Sequence, residues 1–352
     1  MTVRVGIVGC GHIGTVHSFA LGALVKAGLV DATVTAAHDT ECERAERLAA
    51  HHGATVHSDL EALLDAVDVV WVCTWTAAHL EVVSAAADRG VAMFCEKPLS
   101  GSLADCVAVA SQLERVPHQV GLVLRHAPVF RTVAERVGAG RHGRPLAAVF
   151  RDDQYFPNQG MYGSDWRADV ARAGGGTLLE HSIHDVDVLR WVLGDPVGVR
   201  GHVASIFGHT GIDDTATVTM TYEDGSHATL VSVWHQVLSR PSTRRLEVFC
   251  EDALLWTEDD YLGPLHIETA TGEEVVTAEA PEWSARFELP EVLAKPLAQY
   301  AEPTKAFLDA LALDGNAAVG WPDAATALAA HRIVDAAYRS AAAGTVEAPS
   351  PR

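Results

Sequence analysis

The chain opens with the stretch Val3-Arg4-Val5-Gly6-Ile7-Val8-Gly9-Cys10-Gly11-His12-Ile13-Gly14. Val3 to Val8 is a β-branched run that predicts a strand, and His12 to Lys26, closed by Gly28, predicts a helix. In the motif between them, Gly9 permits a tight turn, Gly11 lets a pyrophosphate approach the backbone, and Gly14 lets the helix pack on the strand. A strand, this motif and a helix in succession predict a dinucleotide-binding fold.

A candidate for cofactor selection follows the second predicted strand, Ala32 to His38. That strand ends at Asp39, where a carboxylate accepts hydrogen bonds from the two hydroxyls of an adenosine ribose and repels a 2′-phosphate. Since no arginine follows before Arg44, the local charge favours NAD over NADP. In the alternative interpretation Asp39 only ends a strand, and Thr40 with Glu43 has the spacing of a helix capping box.

Strands and helices continue to alternate up to Leu124. The further predicted strands are Thr55–His57, Val69–Cys73, Val91–Cys95 and Gln119–Leu124, and the helices are Ser58–Ala66 with a capping box at Ser58 and Glu61, Ala78–Arg89, and Ser102–Glu114. Continuous apolar strands that alternate with helices are typical of a parallel sheet covered on both faces. Residues 1–124 therefore predict an α/β domain of the Rossmann type, with a doubly wound parallel sheet.

Glu96-Lys97-Pro98 stands directly after the predicted strand Val91–Cys95. Ligands of open α/β sheets bind beyond the carboxyl ends of the strands, so Lys97 is a candidate for the chemistry. Pro98 stiffens the backbone beside it, and an X–Pro bond can be cis where a turn must fix a side chain. The alternative is an ordinary surface lysine in a loop.

The pattern changes at Arg125, and residues 125–352 predict a second, substrate-binding and oligomerisation domain. Several strands follow one another here, with a hairpin that turns Val218, Met220 and Tyr222 inward, which predicts an α/β domain with a large open, mostly antiparallel sheet. The predicted elements are a helix at 129–137, strands at 146–151, 216–222, 227–234, 245–249, 253–257 and 266–269, and helices at 297–313 and 323–343. One possibility is that the last helix packs back on the first domain, and we expect residues 347–352 to be frayed.

A loop rich in Asp, Asn, Gly and aromatic residues runs from Asp152 to Asp169. Loops of this length inside a compact domain tend to be functional. Tyr155, Tyr162, Trp166 and Arg167 are candidates to line a sugar-sized pocket, although packing explains any single aromatic ring as well.

The loop leads to a glycine run followed by carboxylates and imidazoles, Gly174-Gly175-Gly176-Thr177-Leu178-Leu179-Glu180-His181-Ser182-Ile183-His184-Asp185-Val186-Asp187. On a helix, Glu180, His184 and Asp187 share one face, and the glycines let another group come close. The stretch therefore predicts a site of acid/base chemistry. The alternative is a surface helix whose polar stripe faces water.

The composition narrows the class of partner. The formal charge of −20 opposes binding to nucleic acid and to anionic membranes, and no basic run offsets it. The six cysteines form no C-x-x-C pair, which argues against a metal site and favours a reduced, cytoplasmic protein. Neither a signal peptide nor an apolar run of membrane-spanning length stands in the sequence.

Several motifs, in this order along nearly the whole chain, resemble the Gfo/Idh/MocA oxidoreductase family, which includes inositol and glucose–fructose dehydrogenases. They are the glycine motif Gly9 to Gly14, Thr74 with His79, Glu96-Lys97-Pro98, Trp166-Arg167, and the glycine run with Glu180, His184 and Asp187. The resemblance implies that NAD is bound by Gly9, Gly11, His12, Ile13, Gly14, Asp39, Thr74, Trp75, His79, Glu96 and Lys97. It also implies assembly into homodimers or homotetramers.

In that family the lysine of Glu-Lys-Pro, an acidic residue and a histidine four residues later form the catalytic group, which implies Lys97, Glu180 and His184 here. The family usually has aspartate where this chain has Glu180, and His181 beside it is a competing base. We expect His184 to take the proton of a substrate hydroxyl, Lys97 to stabilise the alkoxide, and Glu180 to orient either Lys97 or His184.

The expected activity is NAD-dependent hydride transfer at a secondary hydroxyl of a sugar, cyclitol or related polyol. The expected substrate contacts are Arg125, Tyr155, Trp166, Arg167 and Asp187. Two alternatives stay open: an enzyme that keeps NAD bound and cleaves glycosides by transient oxidation and elimination, and a non-catalytic NAD-binding sensor.

Overall fold

The computed structural model describes residues 2–277, 279–314 and 321–351. Contacts between residues divide the chain into two compact units. The first unit comprises Met1–Ser100, Ala104–Val123 and Ala280–Leu328, and the second comprises Gly101–Leu103, Leu124–Glu279 and Ala329–Arg352. These units are not the two continuous segments expected from the sequence, because residues 280–328 return to the first unit.

The sheet of the first unit has six parallel strands in the order β3-β2-β1-β4-β5-β6. The strands are β1 Val3–Val8, β2 Ala32–His38, β3 Thr55–Val56, β4 Val69–Val72, β5 Ala92–Cys95 and β6 His118–Val120. The chain reverses its direction of travel across the sheet after β3, and the carboxyl ends of β1 and β4 lie side by side at this switch point. The predicted doubly wound parallel sheet is confirmed.

The helices that connect these strands are α1 His12–Lys26, α2 Cys42–His52, α3 Leu60–Leu64, α4 His79–Asp88 and α5 Leu103–Leu113. Two predicted capping boxes are wrong. Glu41 is the N-cap of α2 and makes no side-chain cap, while Asp39 accepts the Glu41 N–H instead. Asp59, not Ser58, caps α3 by accepting a hydrogen bond from the Glu61 N–H.

The sheet of the second unit has eight strands in the order β14-β13-β12-β11-β7-β10-β9-β8. The strands are β7 Pro145–Tyr155, β8 Gly198–Ala204, β9 Thr215–Thr221, β10 His227–His235, β11 Thr243–Cys250, β12 Ala253–Thr257, β13 Leu265–Thr269 and β14 Gly272–Val276. β7 and β10 pair in parallel and the other neighbours are antiparallel, so the predicted mostly antiparallel sheet is confirmed.

Three strands of this sheet differ from the sequence prediction. β8 and β14 were not predicted, and β7 continues to Tyr155 instead of ending at Arg151. The predicted loop from Asp152 therefore begins only at Phe156. The alternation of buried Ala148, Phe150 and Asp152 with exposed Val149 and Arg151 shows that β7 faces a core on one side.

The helices of the second unit pack on that side of the sheet. They are α6 Pro128–Gly138, α7 Val170–Ala173, α8 Thr177–Glu180, α9 Ile183–Leu193 and the last helix from Ala329 onward, most of which therefore belongs to this unit and not to the first. The core joins side chains of α6 and α9 to those of the central strands, with Phe130 packed against Phe150 at 5.8 Å between ring centroids. Among the described residues of this unit, no helix packs on the opposite face of the sheet.

Two long helices complete the chain, α10 Glu291–Asp314 and α11 Ala324–Ala343. α10 packs on α1 within the first unit through Ala298 and Ala301. The expectation of a frayed end is wrong for Glu347, because its backbone forms a bridge with Val199 in both directions. Arg352 lies outside the described residues. Within the described parts, no helix combines the length and the apolar character that crossing a membrane needs.

The buried face of β7 gives a test of this architecture. We expect Phe150→Ala to lower the free energy of unfolding by about 3–5 kcal/mol, because the change removes a fully buried ring and leaves a cavity. Urea unfolding followed by circular dichroism measures the loss. Val197→Ala, at a side chain that is 54% exposed, is the control and should change the free energy by about 0.5 kcal/mol or less. Equal losses in the two variants would contradict the assignment of faces.

Candidate active site

The three motif glycines occupy three different environments between β1 and α1. Gly9 has φ +89°, and a Cβ added there would lie 2.5 Å from the Cys73 carbonyl group. A Cβ on Gly14 would lie 2.1 Å from the Gly9 carbonyl oxygen, so the first turn of α1 packs directly against the glycine turn. A Cβ on Gly11 would meet no atom within 4 Å. The turn and the packing need Gly9 and Gly14, while the backbone at Gly11 is open for the approach of a phosphate group.

Asp39 joins the end of β2 to this glycine turn. Its Oδ2 accepts a hydrogen bond from the Cys10 N–H at 2.7 Å, and its Oδ1 accepts one from the Glu41 N–H at 2.8 Å. A carboxylate oxygen can accept more than one hydrogen bond, so these contacts leave acceptor capacity for ribose hydroxyls. The proposed ribose contact therefore fits the geometry and stays a prediction.

The loop after β4 carries the other predicted cofactor residues. Thr74 Oγ1 is buried and has no hydrogen-bond partner among the described residues, which suits a group that meets a ligand. Trp75 precedes the 3₁₀ turn Thr76–Ala78 and is half-buried. His79 is 1% exposed, with Nδ1 2.9 Å from the Pro98 carbonyl oxygen and Nε2 3.2 Å from that of Thr74. His79 thus ties two loops together, and burial lowers its pKa.

Lys97 follows the carboxyl end of β5, as the sequence predicted, and the Lys97–Pro98 bond is cis. Glu96 is 5% exposed and accepts the Lys97 N–H on Oε2 at 3.1 Å. Its Oε1 lies 2.7 Å from His17 Nε2. Within the first unit the structure therefore brings Glu96 and Lys97 together with His17, which the sequence did not single out. His12 and Ile13 begin α1, with His12 exposed and Ile13 half-buried against the core.

The glycine run of the second unit is held by Asp213. A Cβ on Gly176 would lie 1.9 Å from the Asp213 carbonyl oxygen, so another residue type would displace this contact. Asp213 Oδ1 accepts hydrogen bonds from the Gly176 N–H and the Tyr338 hydroxyl, both at 2.8 Å. Its Oδ2 accepts the Leu178 N–H at 3.0 Å. Asp213 thus satisfies the first N–H groups of α8 and fixes where that helix begins.

The single helix predicted over the carboxylates and imidazoles is two helices. α8 ends at Glu180, His181 has φ −118°, and α9 starts at Ile183. Glu180 is 2% exposed and His184 is 7% exposed, so the alternative of a solvated polar stripe is wrong. The break places an acid and an imidazole in a buried environment on either side of it.

Glu180 faces Arg167 of the preceding loop. Arg167 Nε lies 3.4 Å from Glu180 Oε2, and Arg167 Nη1 donates a hydrogen bond to Ser164 Oγ at 2.9 Å. The guanidinium also lies over the Trp166 ring, 4.3 Å from its centroid. The structure therefore brings together three residues that the sequence predicted separately: Trp166, Arg167 and Glu180.

Arg125 and Asp187 face each other. Arg125 Nε donates to Asp187 Oδ2 at 2.6 Å and Nη2 donates to Oδ1 at 2.8 Å, and both side chains are at most 5% exposed. Such a two-pronged buried pair is geometrically specific, and loss of either partner leaves an uncompensated charge. The structure thus places these two predicted substrate residues in a pair that fixes α9.

Tyr155 ends β7, and Tyr162 lies in the aromatic loop that follows. Their ring centroids are 5.4 Å apart, and the Tyr155 hydroxyl accepts the Met161 N–H at 3.3 Å. Gly160 fits against the Tyr155 ring, since a Cβ there would approach it to 2.9 Å. Tyr155 is 8% exposed and organises the turn of this loop.

Arg244 of β11 centres a cluster of buried charge in the second unit. It donates from Nε to Asp185 Oδ1 at 2.8 Å and from Nη1 to Asp260 Oδ1 at 2.9 Å. Burial raises the pKa of Asp185, and the nearby Asp152 carboxylate raises it further. The charge of Arg244 lowers it, and the net result is a pKa of about 7. Carboxylates that share a buried cation cannot all ionise freely, so this cluster holds a proton near neutrality.

The break between α8 and α9 is tied to this cluster. His181 Nε2 lies 3.0 Å from both Asp152 Oδ1 and Arg244 Nη2. The Ser182 hydroxyl donates to Asp152 Oδ2 at 2.7 Å. Both residues of the break are therefore anchored by buried polar partners, and His181, the competing base, is engaged in the cluster.

The sequence analysis missed His17, Asp152, Asp213 and Arg244. One signal existed for His17, which shares a helical face with Ala20, Leu21 and Leu24 and so is placed toward the core. The others gave no local signal, since Asp213 and Arg244 bind partners 37 and 59 residues away. Among the residues described here, no group of three or more His, Cys, Asp or Glu side chains is arranged to hold a metal ion.

Comparison with known proteins identifies the family. Residues 3–122 match the model of an oxidoreductase family with an NAD-binding Rossmann fold, and residues 130–255 match the GFO/IDH/MocA C-terminal domain. The chain belongs to the Gfo/Idh/MocA family of oxidoreductases. Its cofactor is NAD, as the sequence predicted.

Individual relatives cover the chain almost completely. Inositol 2-dehydrogenase of Rhizobium meliloti strain 1021 is 28% identical over 357 residues, which is 97% of this chain and 98% of that protein. The oxidoreductase domain protein of Kribbella flavida has a TM-score of 0.88 at 22% identity and covers 100% of both chains. A putative myo-inositol dehydrogenase from Sinorhizobium meliloti 1021 has a TM-score of 0.77 at 25% identity, over 99% of this chain and 100% of that one.

The raised pKa of Asp185 predicts how stability changes with pH. Between its ordinary value of 3.8 and about 7, the folded protein binds more protons at Asp185 than the unfolded chain does. The contribution of this group to stability therefore falls as pH rises through that range. We expect Asp185→Asn to remove this dependence, so the variant gains stability relative to the wild type between about pH 5 and about pH 7.5.

Urea unfolding of both proteins at the two pH values measures this difference. Asp31→Asn, at an exposed position of the first unit, is the control and should keep the pH dependence of the wild type. A difference between wild type and Asp185→Asn that is independent of pH would contradict the prediction.

Proposed function

We propose that this protein oxidises a secondary hydroxyl of a sugar, cyclitol or related polyol with NAD. The observation that carries the proposal is the burial of Glu180 and His184 on the two sides of one helix break, in a chain whose first unit is an NAD-binding Rossmann fold. The relative from Rhizobium meliloti, an inositol 2-dehydrogenase, supports a cyclitol or a similar polyol as the substrate class.

The residues of the first unit fit the cofactor. The open backbone at Gly11 and the N-terminus of α1 suit a pyrophosphate, and Asp39 has acceptor capacity for a ribose. Thr74 Oγ1 supplies a buried polar group in the loop after β4. When bound, NAD supplies the hydride acceptor for oxidation of the alcohol.

The proposed roles in the reaction follow from the chemistry of each side chain. The imidazole of His184 takes the proton of the hydroxyl, because imidazole titrates near neutral pH. Lys97 donates a hydrogen bond to the same oxygen and stabilises its developing negative charge. Glu180, whose Oε2 lies 3.4 Å from Arg167 Nε, orients either Lys97 or His184.

Substrate binding is proposed for the residues around Glu180. Trp166 and Arg167 already contact each other, and an aromatic face with a guanidinium suits the apolar and hydroxyl surfaces of a polyol. Tyr155 shapes the same loop. Arg125 and Asp187 support the site by holding α9 through their mutual ion pair.

Substitution of the proposed catalytic residues tests these roles. We expect Lys97→Ala and His184→Ala each to lower kcat about 100-fold or more, because each removes a proton-transfer or charge-stabilising group. NAD binding should persist in both variants. A screen of polyols, cyclitols and sugars with NAD and NADP, followed by NADH absorbance, identifies the substrate, and isothermal titration measures NAD affinity.

Other outcomes of the same screen distinguish the alternatives. Wild-type turnover in both variants would overturn the assigned roles. Release of a free sugar from a glycoside without net NADH would indicate cleavage by transient oxidation and elimination. Tight NAD binding with no turnover on the whole panel would indicate a sensor.

We also propose that the protein self-associates through the open face of the sheet of the second unit. Val149 and Phe249 are exposed there by 38% and 40%, and Arg245 lies over the Trp256 ring on the same face. A sheet face of this kind is normally covered in a folded protein. A second copy of the chain, in a homodimer or homotetramer, is the proposed cover.

Sedimentation velocity at micromolar concentration tests this assembly. We expect dimers or tetramers for the wild type and a shift toward monomers for Val149→Asp, because the change places a charge within an apolar contact. Val197→Asp, at an exposed position outside a strand, is the control. Monomers of the wild type at micromolar concentration would contradict the proposal.

A further inference from the structure

His17 is a polar residue in an apolar place. Its side chain is fully buried on α1. Its ring lies 5.0 Å from the Phe94 ring and 5.9 Å from the Tyr300 ring, centroid to centroid. An imidazole in such surroundings costs free energy unless its nitrogen atoms are hydrogen-bonded. A phenylalanine would pack here without that cost, so the imidazole calls for an explanation beyond packing.

The partner of His17 is Glu96. His17 Nε2 lies 2.7 Å from Glu96 Oε1, and because an ionised carboxylate only accepts, Nε2 carries the hydrogen and donates it. Glu96 Oε2 accepts the Lys97 N–H at 3.1 Å. The carboxylate thus bridges the helix that begins at the glycine motif and the backbone of Lys97.

A third element fixes the carboxylate. A Cβ on Gly121 would lie 2.7 Å from Glu96 Oε1 and 3.1 Å from Oε2. The residue after β6 therefore closes the space beside the carboxylate and leaves it little room to move. Because both oxygens are hydrogen-bonded and the side chain has little room to move, a shift of His17 would shift the Lys97 backbone as well.

The bridge depends on the charge of Glu96. Burial alone would raise the pKa of its carboxyl, but the His17 hydrogen bond and the Lys97 charge outweigh burial and lower it. Among the described residues, Cys73, Cys95 and His79 are further titratable groups that interact with Glu96. Burial raises the pKa of the two thiols and lowers that of His79, so all three are uncharged near neutral pH.

We propose that His17 and Glu96 are positioning residues for Lys97. Together they hold the Lys97 backbone in a fixed position relative to α1, the helix that follows the glycine motif. This inference rests on the proposed role of Lys97 in the reaction. Neither His17 nor Glu96 needs to touch substrate for this purpose. Their loss should lower kcat through misplacement of Lys97 while cofactor affinity changes little.

The test compares His17→Phe, which keeps the ring contacts but loses the donor, with His17→Gln, which restores an N–H donor. For His17→Phe we expect kcat to fall about 10-fold or more, with the KM for NAD changed about 3-fold or less, since a displacement of about 1 Å at a catalytic group is costly. His17→Gln should recover most of the loss. His51→Phe, at an exposed histidine of α2, should behave as the wild type.

The pH profile separates positioning from general damage. Without the donor, burial raises the pKa of Glu96, so kcat of His17→Phe should decrease further as pH is lowered through that new pKa. In the wild type the His17 hydrogen bond lowers the pKa of Glu96 against the effect of burial, so the wild-type kcat should lack this additional decrease. Glu96→Gln provides a second variant that keeps the shape but does not titrate, and we expect it to lose kcat without the additional decrease at low pH.

A chemical measurement reads the position of Lys97 without turnover. The chain has four lysines, Lys26, Lys97, Lys295 and Lys305, so acetic anhydride labelling followed by mass spectrometry resolves each one. In NAD-loaded protein we expect His17→Phe to change the labelling rate of Lys97 about 3-fold or more relative to the other lysines, because loss of the bridge alters the access and hydrogen bonding of its amine.

Specific results would overturn the proposal. Wild-type kcat and wild-type labelling of Lys97 in both His17→Phe and Glu96→Gln would do so. A loss of kcat that matches the loss of NAD affinity, or the loss of folded protein by circular dichroism, would assign the pair a purely structural role. If instead Lys97→Ala keeps its turnover, the proposed catalytic role of Lys97 fails, while the labelling result still decides whether the pair positions it.

Discussion

The hydrogen bonds accepted by Asp213 are the constraint on which the candidate site of the second unit depends. This one carboxylate binds the backbone of Gly176 and Leu178 and the hydroxyl of Tyr338. It thereby sets the first turn of α8, and with it the place where that helix ends at Glu180. Because α8 is a single turn, a displacement of its first residue would displace Glu180 by a similar distance. A buried carboxylate far away in sequence therefore determines where the acid lies.

Charge compensation is the second theme of this unit. Three of the buried or half-buried arginines around α8 and α9 face carboxylates as follows: Arg125 faces Asp187, Arg167 faces Glu180, and Arg244 faces Asp185 and Asp260. Such pairs add little net stability, because desolvation offsets much of the attraction, but breaking one is costly. The effect of these pairs is to fix the positions of the side chains around α8 and α9. This explains how a short and interrupted helix region can hold several polar side chains in fixed positions without regular hydrogen bonding along its whole length.

The sequence predicted those parts of the fold that depend on neighbours in the chain. The glycine motif with β1 and α1, the hairpin of β9 and β10, and the position of Lys97 after β5 all follow from local patterns. The break at His181 and the anchoring of Ser182 by Asp152 do not, because they depend on contacts between residues distant in sequence. The hydrophobic periodicity of the sequence likewise does not predict that residues 280–328 belong to the first unit. The family resemblance named the candidate residues, and the contacts show which of them are paired.

The alternation along β7 has a consequence for how sequences of this kind can vary. Asp152 points toward the helices and anchors Ser182, while Val149 and Arg151 lie on the open face. Substitutions at adjacent positions on this strand therefore act on different faces, so that the proposed self-association surface and the support of the site can change independently. A slip of one residue in the pairing of β7 would exchange the two sets and expose the aspartate anchor. Because that exchange would cost free energy, the sequence of β7 disfavours misfolded states in which this strand is paired out of register.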